Sequence, residues 1–304
     1  MPTILFCSDM LTPRAVDLAY GTEHEAAQRA GFATALLNYE RLVSDEDAIR
    51  AMPRAPLADL PMPIIYRGWM LPAAAYARLA EAVAGGGGEL LTTPERYRAT
   101  HELPGWYHLL ADVTPQTVWM PLAPGSAPDV AALLALLAPF GHGPVLLKDF
   151  VKSRKDEWLE ACFIPSASDT AAVERVVTTF VERQGDGLAG GLVFRAFEPF
   201  AAAPGAGPGG RPRTVEARCW FLDGRCVATS SAWSDAATQP PLQWCEELAA
   251  RVPGRFFTMD VAQRADGIWR VIELGDGQVA GLPEEVDVDA FYQALALALG
   301  VEVG

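Results

Sequence analysis

The chain has 304 residues, half of them hydrophobic, enough for one large domain or two to three packed subdomains. A net charge of −14 argues against a general nucleic-acid binder, which needs a basic surface, but leaves room for a small basic pocket holding one nucleotide. The five cysteines are odd in number and scattered, with no CxxC or Cys/His cluster, so a disulfide framework or zinc site is not indicated.

Met1 is followed almost at once by the strand-like run ILFCS, with no basic n-region and no cleavage site. No stretch reaches the roughly 18 to 20 apolar residues that span a bilayer. A cytoplasmic protein is expected. After this first strand a helical stretch is expected around 22–31, then a strand in TALLNY (34–39) and another in PIIYRGW (63–69). LPAAAYARLAEAVA (71–84) has helical periodicity and should stop at Gly85–Gly88, which have no φ restriction to hold a helix. Such alternation predicts an α/β layer with parallel strands over residues 1–120.

The Pro/Gly-rich segment PLAPGSAPD, starting at 121, opens a second unit, 121–304. A helix over 128–138, a buried strand PVLLKDF (144–150), an antiparallel return at ACFIP (161–165) and a helix over 168–184 form its first part, to about 190. After the breaker GDGLAGG the remainder, 191–304, reads as strands closed by a helix at 287–299. AAAPGAGPGGRP (201–212) reads as a loop.

One hairpin carries the strongest local signal. Asp266-Gly267 predicts a two-residue type I′ turn, which sets 265 opposite 268 and fixes every pair outward. Val261 then faces Ile272 and Met259 faces Leu274 on the apolar side; Ala262 faces Val271 and Asp260 faces Glu273 on the other. Two carboxylates with Cβ atoms about 4.5 to 5.5 Å apart repel unless something compensates. A divalent cation is one compensation, since Mg²⁺ takes one or two carboxylates together with substrate phosphates; a solvated hairpin face is the plain alternative. Asp276 and Gln278 add oxygen donors just beyond.

Cations stand elsewhere in the unit. Lys148 interrupts an apolar strand, either as a snorkelling edge residue or as a functional lysine. Lys152, Ser153, Arg154 and Lys155 follow in a tight basic loop, a solvated turn or a polyphosphate clamp. Arg195 and Arg218 also interrupt apolar strands, and Glu216 shares a face with Arg218 as a possible surface partner. Asp223-Gly224 makes 214–231 a second hairpin. Together these are the parts that stabilise a transferring phosphoryl group. No GxxxxGK[ST] loop is present.

The order of the pieces, VLLKDFVKS, then FRAFEPF and EARCWFLDGR, then MDVAQ and VIELGDGQ, resembles the ATP-grasp superfamily, in particular the clade named for two arginines and one lysine. IIYRGWML and LPGWYHLL are similar to the leading domain of such proteins. The resemblance implies an α/β leading domain followed by an α+β ATP-grasp domain, two subdomains with antiparallel sheets around a nucleotide cleft. It implies ATP and Mg²⁺ as cofactors, with Lys148 on the phosphates and Lys152, Ser153 and Lys155 standing where a glycine-rich flap usually lies. Arg195 and Arg218 become the two arginines, meeting phosphate or an acylphosphate. Phe197, Glu198 and Phe200 form the hinge beside adenine and ribose. Asp260 and Glu273 become Mg²⁺ ligands. Gly275 replaces the Asn common in the family two places after the second acid, and Asp276 stands in as the third ligand.

By the same resemblance the activity is that of an ATP-dependent carboxylate–amine ligase acting on a small-molecule or peptide substrate. A nucleotide- or peptide-binding module without turnover and an ATP-dependent phosphotransferase are the alternatives. His24, His101, His108 and His142 are scattered and read as structural or surface residues. Arg67 either faces the cleft, to bind a substrate carboxylate, or stacks on Trp69 or Tyr66.

Overall fold

The computed structural model describes residues 2–44, 48–53, 57–206, 212–231 and 239–301. Three short apolar runs form the leading sheet: β1 (Thr3–Cys7), β2 (Ala33–Leu37) and β3 (Ile64–Arg67). All pair in parallel in the order β2-β1-β3, with β1 buried along its whole length. Helices α1 (Gly21–Arg29), α2 (Tyr39–Ser44) and α3 (Ala73–Gly85) accompany this sheet. The last residue of α3 is the first glycine of the Gly85–Gly88 run, where a stop was expected. Helices α4 (Pro94–His101), capped by the Thr93 hydroxyl, and α5 (Leu103–Leu110) lead out of the layer.

The second unit holds two four-stranded antiparallel sheets. The first contains β4 (Thr117–Pro121), β5 (Val145–Asp149), β6 (Phe163–Ile164) and β7 (Gly191–Ala196) in the order β4-β7-β5-β6. Because β4 ends at Pro121 and pairs with β7, this unit takes in the strand just before the Pro/Gly-rich join. Helices α6 (Val130–Leu137), α7 (Trp158–Ala161) and α8 (Thr170–Gln184) belong with it. Strand alternation sends Val145 and Leu147 of β5 and Leu192 and Phe194 of β7 onto α8. The opposite face therefore carries Leu146, Lys148, Val193 and Arg195.

Residues 201–212 were expected as a loop, but their described part begins a two-stranded ribbon, β8 (Ala202–Ala206) with β9 (Pro212–Thr214); residues 207–211 lie outside the described residues. The second sheet follows, with β10 (Glu216–Leu222), β11 (Arg225–Ser231), β12 (Phe256–Gln263) and β13 (Trp269–Asp276) in the order β11-β10-β12-β13. Asp223 and Gly224 have φ of 49° and 79°, so the β10–β11 turn is the two-residue left-handed kind. One face of this sheet packs on α5 and on α9 (Leu242–Ala249). The other packs Trp220, Leu222 and Phe256 against α10 (Val288–Ala298) and the leading layer. Val193 joins α5 and the second sheet in one core, which locks the two sheets together.

The β12–β13 hairpin departs from its expected register and then returns to it. Of its two turn residues only Gly267 takes a positive φ, 88°, and the Asp266 carboxylate accepts from Ile268 N at 3.2 Å. The chain closes instead over three residues, with Arg264 N donating to Ile268 O at 2.8 Å. Pairing is thereby shifted by one: Val261 faces Val271 and Ala262 faces Arg270, correcting the expected Val261–Ile272 and Ala262–Val271 pairs. A β-bulge between Asp260 and Val261 absorbs Ile272 as the unpaired extra residue. Beyond it Asp260 faces Glu273 and Met259 faces Leu274, as the unshifted register requires.

Candidate functional site

Arg218, Asp260 and Glu273 lie in one lateral row, because Arg218 is opposite Asp260 on β10–β12 and Asp260 is opposite Glu273 on β12–β13. The Arg218 guanidinium grips Asp260 with both forks, Nε to Oδ1 and Nη2 to Oδ2, each at 2.7 Å. Those hydrogen bonds raise its pKa further, and Glu216 instead accepts from the Thr214 hydroxyl. Glu273 is held from the other sheet, where Lys148 Nζ reaches its Oε1 at 2.5 Å and also donates to Val151 O at 3.1 Å. The two opposed carboxylates are thus each matched by one cation. Burial pushes the Glu273 carboxyl up, but Lys148, Lys155 and Arg195 outweigh it and hold the group at about 2.

Asp149 shapes the loop after β5. Fully buried, its carboxylate accepts from Val151 N at 2.7 Å, Lys152 N at 2.5 Å and Gln184 Nε2 at 2.7 Å. Its signal in the sequence was only an Asp at a strand end. The loop it folds places Val151 in the cleft wall and leaves Lys152 and Lys155 exposed, with Ser153 bridged to Lys148. Arg154 has a structural job: it binds Glu157 at 2.5 Å and Gln184 at 2.9 Å.

Arg195 is buried and clamps the bulge. Its guanidinium donates to Ile272 O and, at 2.7 Å, to the Thr114 hydroxyl, and it lies 5.9 Å from the Trp106 ring centre. Burial pulls its pKa down to about 10, so it stays charged at neutral pH, and its Nε has no partner among the described residues. In the hinge segment, Phe197 is exposed and stands edge-on to Phe163 and Trp158, which stack on each other at 5.3 Å. Glu198 is paired with Arg270 through two 3.0 Å contacts, and Phe200 bridges to Arg264.

Asp276 does not join the row. It faces Phe257, one step out of phase with Glu273, so it belongs to the opposite side of β13. There it is buried and accepts from Gln278 N and Nε2 and from Thr100 Oγ1. Burial raises its carboxyl to about 7. Arg67 is likewise no open cleft residue: it makes a bidentate pair with Glu23 at 2.6 and 2.8 Å, both residues buried.

A cleft of about 190 Å³ brings together Met70 and His101 from the leading layer, Val151 from the loop, and Arg218, Asp260, Glu273 and Asp276. His101, read from the sequence as a structural or surface residue, is thus in the wall. Burial first, then Lys148 and Lys152 against the opposing pull of Glu273, push it down to about 4, leaving a neutral imidazole at pH 7. Two hard oxygen donors side by side fit a cation such as Mg²⁺ that completes its shell with substrate phosphates. Each carboxylate oxygen has more than one lone pair, so neither ion pair exhausts the donors. Among the described residues no group of three or more His, Cys, Asp or Glu gathers as a fuller metal site, and no helix is long and apolar enough to cross a membrane.

A parallel three-stranded layer followed by two antiparallel sheets around such a cleft is the ATP-grasp architecture. The chain belongs to an ATP-grasp domain family, family 3 of the clade named for two arginines and one lysine, whose model matches residues 139–295, just over half of it. Solved structures of the same fold include an ATP-grasp RimK domain protein from Sphaerobacter thermophilus, 16% identical with a TM-score of 0.62, covering 99% of this chain and 100% of that one. The D-cycloserine synthetase DcsG is 14% identical, with a TM-score of 0.58 over 99% and 100%. The ATP-grasp ligase PsnB, solved with a precursor variant, Mg and ADP, is 14% identical, with a TM-score of 0.55 over 98% of each chain. A comparison with curated proteins returned no match.

Proposed function

We propose that this protein is an ATP-dependent ligase that activates a substrate carboxylate as an acylphosphate for attack by an amine or similar nucleophile. The observation that carries the reading is the meeting of Lys148 from one sheet with the Arg218–Asp260–Glu273 row of the other at one cleft. The named ligases among the structures of this fold support the reaction class, and PsnB, solved with Mg and ADP, supports the cofactors. A peptide or other small molecule is the substrate class; PsnB was solved with a precursor peptide.

In this reading Lys148, Lys152 and Lys155 neutralise the ATP phosphates, and Asp260 and Glu273 hold Mg²⁺, which supplies charge neutralisation on those phosphates. The exposed Phe197 ring offers an apolar face to adenine. A carboxylate oxygen of the substrate attacks the γ-phosphorus and ADP leaves. The amine then attacks the acyl carbon, phosphate departs, and the nitrogen loses a proton. The chain's contribution is to position the reactants and to match charge as it develops. Arg218, at the cleft wall, is placed in this reading to meet the acylphosphate. Arg195 acts from beneath, holding the strand that carries Glu273.

The test is release of ADP and phosphate over a panel of amino acids and short peptides. Release stimulated by an acceptor together with a new amide product supports the ligase. Nucleotide binding with no acceptor-stimulated release points to a binding module, and a stable phosphorylated product to a phosphotransferase.

A further inference from the structure

A second cavity, of about 440 Å³, opens in the leading layer at the carboxyl ends of β1 and β2, and none of the residues lining it lines the cleft. Ligands of parallel sheets are commonly received at that edge. Its walls are of two kinds. Leu36, Met52 and Pro53 supply apolar surface, while Ser8, Arg14 and Arg41 supply donors. Ser8 is 3% exposed, and its hydroxyl oxygen is buried with no hydrogen-bond partner among the described residues. Its backbone N–H is already spent on Leu37 O, so the hydroxyl alone awaits an outside partner. Arg14 and Arg41 are exposed and form no ion pair among the described residues, in a chain whose net charge is −14.

A buried hydroxyl without a partner is uncommon in a finished protein interior, and two guanidinium groups at the same cavity with no ion pair among the described residues favour an anion. The apolar walls favour an organic body behind that anion over a bare ion. We infer that the cavity lined by Ser8, Arg14 and Arg41 binds a small organic carboxylate carrying an apolar group. The ligand's carboxylate meets the two guanidinium groups and the Ser8 hydroxyl, and its apolar part lies along Leu36 and Met52. The site stands apart from the proposed nucleotide cleft and does not depend on the ligase reading.

The test uses the full chain, titrated with N-acetyl-L-leucine, with its neutral amide, and with inorganic phosphate. Binding is followed by calorimetry and by two-dimensional amide NMR. The proposal expects saturable binding of the carboxylate at millimolar concentrations, shifts at Ser8 and Asn38, and no binding of the amide. Arg14→Met with Arg41→Met should weaken it at least about tenfold, while magnesium-dependent binding of a non-hydrolysable ATP analogue in the cleft stays unchanged. Both arginines are exposed, so the double variant should fold, and its thermal unfolding confirms that. Equal binding of acid and amide, phosphate binding without the carboxylate, no saturable binding of any probe, or full affinity in the double variant would each overturn the inference.

Discussion

Lys148 Nζ lies 2.5 Å from Glu273 Oε1, joining two sheets through residues 125 positions apart in the chain. The lysine has its other contact on its own loop, at Val151 O. It is therefore both a fastening between the sheets and the cation beside the carboxylate proposed to hold the metal.

Lys148→Ala and Glu273→Gln should each weaken binding of Mg²⁺ with a non-hydrolysable ATP analogue by about 10- to 100-fold, about 1.4 to 2.7 kcal/mol. Calorimetry on the folded variants measures this. Unchanged affinity in both would remove these residues from the nucleotide site.

Arg218→Lys keeps the charge but loses the two-pronged grip on Asp260. Turnover should fall at least about tenfold, with ATP affinity changed less than in the Lys148 variant. Steady-state kinetics at saturating and limiting ATP separate the two effects. Restoration of full turnover by lysine would show that charge alone matters there.

Arg195→Met should destabilise the fold by about 1 to 3 kcal/mol, since it strips the partner from the part-buried Ile272 carbonyl. Urea denaturation reads the loss. A stability equal to that of the parent would mean that the bulge holds itself.

Asp276 and His101 predict opposite dependences of stability on pH. Asp276 has its folded pKa raised from 3.8 to about 7, so the folded state binds the extra proton and stability falls as pH rises through that window. His101 has its folded pKa lowered from 6.5 to about 4, so here the unfolded state binds the extra proton and stability rises between those values. Asp276→Asn should therefore steepen the rise in urea midpoint between about pH 4 and 7, and His101→Gln should flatten or reverse it, each by up to about 1.4 kcal/mol per pH unit. Parallel profiles for parent and variants would contradict both assignments.

Local chemistry made much of this legible from the sequence. Apolar runs separated by helical periodicity marked the parallel layer, and Asp223-Gly224 marked its hairpin because both residues take the left-handed conformation. The opposition of Asp260 and Glu273 was also readable, although the turn that predicted it is of another kind. What escaped were mostly contacts between distant segments. Glu23 as the partner of Arg67 and His101 in the cleft depend on how distant segments dock, which no spacing within one segment records; Asp149 organises the basic loop locally, through the N–H groups of Val151 and Lys152. Asp276 lines the same cleft as Asp260 and Glu273 but from the other side of β13, because each step of one residue along a pleated strand changes face.

The bulge at Ile272 gives the hairpin a degree of mechanical independence. Its tip runs one residue out of phase with its base, and a single unpaired residue takes up the whole difference. A change of turn length by one residue therefore has a place to be absorbed before it reaches the carboxylates, provided Arg195 keeps hold of the Ile272 carbonyl. The acidic pair thus keeps its phase despite the offset at the tip, which is itself fastened to the hinge segment by Ala265 N on Pro199 O and by the Arg270–Glu198 pair.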